Sequence, residues 1–240
     1  MGLRLFYRDD FRGKPTVIGL YGFGSRPSTK PMERAAVVSN LLFKCGHLDV
    51  NFASFDYPSH RSSYFDGFSA DHTEIARVAD RLEKFGVNPS KMGIAGGCYG
   101  SYVGGRFLQE GGQAAFAVLI GPYFGKNSLQ WWSKALLNFG RVPGVGVLFE
   151  RAFRDSSRNR IRIDFRDLAN YVAQDLDLRK SNVKTLIAGI KAHGYFKDHP
   201  NRGVPVNQTN TTLLDLPETT EPRQALVASV DFIRKACEGK

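Results

Sequence analysis

Cysteine is scarce in this sequence, and so are histidine, acidic residues and long apolar runs. The three cysteines, Cys45, Cys98 and Cys237, cannot all pair within one chain, and none lies in a CxxC pair or beside a second ligand at zinc spacing. A reduced, cytoplasmic setting is therefore expected, with no metal and no cofactor. No run approaches the about 18 apolar residues of a membrane span. The opening MGLRLFYRDDF brings acids in too early for the apolar core of a signal peptide. Gly2 has no Ser or Thr at position 6, where Phe6 precedes Tyr7, so the myristoylation pattern fails as well. No internal repeat is present, which excludes solenoids and propellers.

The 23 Asp and Glu are outnumbered by 33 Lys and Arg, a formal charge of +10. That excess favours acidic partners such as phosphate groups, anionic membranes or acidic carrier proteins. Nucleic acid fits less well, because no reader motif accompanies the charge.

What is present is a globular composition: 240 residues, 42% of them hydrophobic, enough to bury a full core in one domain. Pro15–Tyr21 is a β-branched run that stops at Gly22-Phe23-Gly24-Ser25, a buried strand followed by a loop. A helix is expected from Pro31 to Gly46, then a strand over Val50–Phe55. Asp71–Phe85 carries Ile75, Val78, Ala79 and Leu82 on one helical face and ends at Gly86. Met92–Ala95 reads as a strand, with a helix to Leu108 after it, and Ala114–Ile120 as another strand. The alternation resumes with strands at Val183–Gly189 and Thr211–Leu216 and a closing helix over Arg223–Cys237.

Strands alternating with helices imply parallel pairing and right-handed crossovers, hence an α/β fold with a mostly parallel central sheet flanked by helices. The rhythm breaks between about Lys126 and Lys180. We read residues 126–180 as a small helical cap inserted between two parts of one core, 1–125 and 181–240. Its Trp131-Trp132-Ser133-Lys134-Ala135-Leu136-Leu137-Asn138-Phe139 is expected to pack onto the core, an acyl channel or a membrane-resting helix being the functional alternatives. Arg151, Arg154, Arg158, Arg160, Arg162 and Arg166 alternate with acids, as a salt-bridged solvated face does. The same arginines would also suit the phosphates of coenzyme A or of a phosphopantetheine arm on an acidic carrier protein.

The sharpest feature is Gly96-Gly97-Cys98-Tyr99-Gly100, a G-x-C-x-G between a strand and a helix. Small flanking residues are what a strained turn requires when it lifts a nucleophile clear of a sheet. The helix N-terminus beneath Cys98 should favour its thiolate. Cys45 and Cys237 fall near helix ends and read as packing residues.

With that elbow, the chain resembles the α/β-hydrolase family in its cysteine-nucleophile variant, as in dienelactone hydrolases and some thioesterases. The resemblance extends to Leu20–Ser25, where family members often carry His-Gly, to Phe55–Ser62 and to Gly86–Ser90 before the elbow strand. It implies an acyl-enzyme on Cys98 formed from an ester or thioester, with the backbone amides of Phe23 and Tyr99 as the oxyanion hole.

The chain departs from the family order in two places. The acid slot reads Gly189-Ile190-Lys191-Ala192-His193, without a carboxylate, and the histidine slot reads Leu216-Pro217-Glu218-Thr219-Thr220-Glu221. No histidine follows His199. In one repair, His193 serves as base and Glu218 or Glu221 orients it, the two roles having exchanged strands, since catalysis requires geometry rather than chain order. A second uses His199 beside Asp198. In a third no base remains, and the protein is a catalytically silent member of the fold that binds a small apolar ligand or a protein partner. An ordinary loop histidine describes His193 equally well. His60 reads as a solvated loop residue, and His47 and His72 as surface or capping residues at helix borders.

Overall fold

The computed structural model describes residues 3–6, 10–22, 48–60, 67–121, 131–142, 144–148, 164–188, 205–214 and 222–239. Seven strands form one sheet: β1 (Arg4–Phe6), β2 (Thr16–Leu20), β3 (Asn51–Ser54), β4 (Met92–Gly97), β5 (Ala117–Ile120), β6 (Thr185–Ala188) and β7 (Thr211–Leu214), in the order β1-β3-β2-β4-β5-β6-β7. Only β1 is antiparallel, pairing Leu5 with Ala53; every other neighbour is parallel. Every position of β2 to β6 is buried, because helices cover both faces of a parallel sheet and leave no side for water.

The pleat divides these side chains between two cores. Ile18, Leu20, Ile94, Leu119 and Ile187 face α1 (Ala70–Lys84) and α2 (Tyr99–Gln109), meeting Ile75, Val78, Leu82 and Val103. Their neighbours Val17, Ala95, Val118, Ile120 and Leu186 face α5 (Pro222–Cys237) through Ala225, Val230 and Ile233. Each large side chain so buried contributes about 1.5–3 kcal/mol of transfer free energy.

Between β5 and β6 lie α3 (Trp131–Gly140) and α4 (Phe165–Val172). The start of α4 is capped by Asp164, whose carboxylate accepts from the amides of Arg166 and Asp167. Asp167 then accepts from the Phe68 amide at 2.6 Å, tying α4 to the turn before α1. Tyr102 of α2 donates to the carbonyls of Tyr171 and Gln174, both at 2.7 Å, and fixes the other end.

Most expected strands are shorter by one to three residues at an end, and three differences bear on the site and the sheet edge. The elbow strand continues through Gly96 and Gly97, β5 begins at Ala117 rather than Ala114, and the short edge strand β1 was not expected at all. The expected helix at Pro31–Gly46 lies outside the described residues, as do Cys45 and His47. Trp131 does not pack onto the core. It is 79% exposed, and Leu136, Phe139, Val147 and Leu148 are exposed with it, while Leu137 packs against the core. Among the described residues, no helix is long and apolar enough to cross a membrane.

Candidate active site

The elbow is built from backbone sterics. Cys98 has φ 54° and ψ −120°, and it is the one non-glycine residue with positive φ among the described residues. Such a conformation costs about 1–3 kcal/mol and persists only where the surroundings enforce it. Here they do. The Cys98 amide donates to the Ile120 carbonyl at 2.9 Å, and the Cys98 carbonyl accepts from Ser101 at 3.0 Å to start α2. The buried Ser101 hydroxyl bridges back to the carbonyls of Gly96 at 2.7 Å and Ile120 at 2.9 Å. A Cβ at Gly96 would stand 2.6 Å from the Gly100 backbone, and one at Gly100 would overlap the Leu20 carbonyl. The two glycines of G-x-C-x-G are therefore the contact that lets α2 start against β4 and β2.

Cys98 is half-buried, and burial pushes its thiol above the ordinary value, while a hydrogen bond from the Tyr99 amide acts in the opposite sense. Burial is the larger effect, so the expected bias toward thiolate is corrected: desolvation outweighs the Tyr99 amide at the start of the helix. Cys237, on α5, is also half-buried and pushed up to about 11, chiefly by burial.

Tyr99 follows Cys98, and its ring turns into the core. Its hydroxyl donates to Asp71 Oδ2 at 2.7 Å. Asp71 is wholly buried, and it also accepts from the Ser59 amide at 2.9 Å and the Ser59 hydroxyl at 2.5 Å. Around them, Tyr57 and Phe68 meet the Tyr99 ring edge-on at centroid distances of 5.8 and 6.2 Å. Tyr57 donates to the Tyr21 carbonyl at 3.2 Å. Burial, with Asp71 next in importance, holds the phenols of Tyr57 and Tyr99 well above their ordinary range, so both stay protonated donors.

His72 is a second correction. Rather than a surface or capping residue, it is buried, stacked on Tyr171, with Nδ1 3.1 Å from the Tyr171 hydroxyl and Nε2 2.8 Å from Glu110. Both ring nitrogens are engaged, which leaves neither free to serve Cys98. Burial lowers its pKa even though Glu110 pulls the other way. A depression of about 370 Å³ opens over His72, Thr73, Arg106, Glu110 and Tyr171, and Cys98 does not line it. Among the described residues, no group of three or more His, Cys, Asp or Glu side chains could hold a metal ion.

Of the residues expected at the site, the structure describes Cys98 and Tyr99. Phe23, His193, His199, Glu218 and Glu221 lie outside the described residues, as do Arg151, Arg154, Arg158, Arg160 and Arg162 and the side chain of His60. Asp71 was not anticipated, because its partners are 12 and 28 residues away and no local pattern marks them.

No protein-family model matches the chain, and no curated protein is similar to it in sequence. Solved structures are similar to nearly the whole of this chain. A monoacylglycerol lipase from Paleococcus ferrophilus superposes with a TM-score of 0.61 at 13% identity, covering 98% of each chain. An esterase from Exiguobacterium antarcticum gives 0.64 at 14%, over 97% of this chain and 96% of the other. MGS-M2, an α/β hydrolase enzyme from a Medee basin deep-sea metagenome library, gives 0.65 at 13%, over 100% and 94%. The chain has the α/β-hydrolase fold. In this α/β-hydrolase frame, Cys98 stands at a sharp turn between a central parallel strand and the helix after it. The rows Leu20–Gly96 and Gly97–Ile120–Ala188–Leu214 bring the ends of β2, β4, β5, β6 and β7 to the same edge of the sheet.

Proposed function

We propose that this chain hydrolyses or transfers the acyl group of an ester or thioester through an acyl-enzyme on Cys98. The observation that carries the proposal is the strained backbone of Cys98 inside its glycine frame. A buried packing cysteine needs no positive φ, whereas a nucleophile presented above a sheet does. The similarity to an esterase and a monoacylglycerol lipase supports ester chemistry.

The thiol attacks the carbonyl carbon, and a sulfur–carbon bond forms as the bond to the leaving oxygen or sulfur breaks. The amides of Tyr99 and Phe23 receive the negative charge that develops on the carbonyl oxygen. Because burial keeps Cys98 protonated at rest, a base must take the proton and return it to the leaving group. His193 is the candidate, oriented by Glu218 or Glu221, with His199 beside Asp198 as the second route. Chain length permits either. Two strand spacings of about 4.8 Å separate β4 from β6, roughly 10 Å, and the residues from Ala188 to His193 reach about 17 Å when extended. Water or another nucleophile then takes the acyl group, and the thiol is regenerated. A carrier-bound or coenzyme A thioester is one substrate class, and a simple ester the other.

Turnover of short p-nitrophenyl esters and acyl thioesters tests the proposal. Cys98→Ala should abolish it and His193→Ala should slow acylation about 10²- to 10⁴-fold. Equal loss in His199→Ala with none in His193→Ala would transfer the role of base. Turnover that survives Cys98→Ala would overturn the acyl-enzyme.

A further inference from the structure

Asp71 carries a feature that ester chemistry does not require of it. It is a wholly buried carboxylate, and one of its donors belongs to the residue whose amide adjoins the nucleophile. We propose that Asp71 is a positioning residue for acyl transfer at Cys98, fixing the Tyr99 amide through the Tyr99 hydroxyl; this rests on the acyl-enzyme reading above. Tyr99 is the first residue of α2, and its N–H shares a peptide unit with the Cys98 carbonyl, which accepts from Ser101 at 3.0 Å and Tyr102 at 3.3 Å. Its ring is a second handle on the same residue. The ring is clamped edge-on by Tyr57 and Phe68, and its hydroxyl is tied at 2.7 Å to a carboxylate that is itself fixed by both the amide and the hydroxyl of Ser59. An acceptor on α1 and the 3-10 turn Pro58–His60 thus add a side-chain restraint to an N–H at the start of α2 whose peptide plane the Cys98 carbonyl already orients.

The role can be separated from simple support of the fold, because two reactions of the same sulfur make different demands. Acylation develops an oxyanion and needs a well-aimed amide, whereas alkylation by iodoacetamide displaces iodide from a saturated carbon and develops none. Tyr99→Phe should slow acylation of Cys98 by p-nitrophenyl acetate about tenfold or more, with alkylation by iodoacetamide within about twofold of wild type. Asp71→Asn keeps an oxygen that can accept from Tyr99 and should retain more acylation than Asp71→Leu. Tyr102→Phe, which removes a buried hydroxyl from the same helix away from the elbow, serves as the control. It should lower thermal stability and leave the ratio of the two rates unchanged. If Asp71 variants do not fold, Tyr99→Phe against Tyr102→Phe decides. Equal acylation-to-alkylation ratios in wild type and Tyr99→Phe would overturn the positioning role while the acyl-enzyme stands. Wild-type Cys98 that alkylates but never acylates would overturn the acyl-enzyme and the positioning role together.

Discussion

The aromatics beneath the elbow and those on α3 are of the same kind and have opposite fates. Tyr57, Phe68 and Tyr99 are at most 6% exposed, and the two phenols have acceptors at 3.2 and 2.7 Å. On α3, Trp131 is 79% and Phe139 60% exposed. Trp131, Ala135 and Phe139 recur at helical spacing, so α3 has an apolar stripe much as α1 does, yet Trp131 and Phe139 are exposed and Ala135 between them is half-buried. Periodicity shows that a stripe exists and does not say what covers it. Beneath the elbow, coverage is set by contacts that allow no slack: glycines against backbone, and hydroxyls against a buried carboxylate.

The contrast is sharpest in what each region tolerates. Gly100→Ala should cost about 3 kcal/mol or more, measured by urea unfolding, because the added carbon meets the Leu20 backbone, which cannot yield. Retention of wild-type stability would show that the elbow is looser than its geometry implies. Tyr99→Phe should come next, at roughly 1–2 kcal/mol, since it leaves a buried Asp71 oxygen short of one donor.

A pH effect should follow from the buried imidazole of His72. His72 is held below its ordinary value of 6.5, chiefly by burial, so the folded protein binds its proton less readily than the unfolded chain. Its contribution is complete above about pH 6.5 and is lost as pH falls through the folded value. Glu110 attracts the charged ring and narrows that window, while Arg106 widens it. Unfolding of wild type and His72→Gln at pH 8 and pH 5 should show a smaller loss in the variant. An identical loss would remove His72 from the account. The smallest effect is expected on α3, where Trp131→Ala and Phe139→Ser should alter stability by no more than about 0.5 kcal/mol. A larger loss would mean that the exposed stripe is covered in solution.

The same contrast explains what the sequence made legible. The elbow could be read because G-x-C-x-G encodes a local steric requirement, and the parallel sheet because alternating strands and helices leave few topologies. Asp71 could not be read: an acid in the first turn of an amphipathic helix ordinarily signals a favourable helix dipole, and its partners Ser59 and Tyr99 come from other elements. His72 was misjudged for the same reason, since Tyr171 reaches it from a helix 99 residues away. For the thiol, the sequence showed the helix N-terminus that lowers its pKa and concealed the burial that raises it further.

The central claim is that Cys98 is a nucleophile because of its elbow and not because of an unusual thiol. Cys237 supplies the internal standard, being likewise half-buried and likewise pushed up by burial. After brief exposure to an activated ester or acyl thioester near neutral pH, peptide-level mass spectrometry should find the acyl group on Cys98 and not on Cys237. Equal labelling of the two, or none on Cys98, would contradict the account.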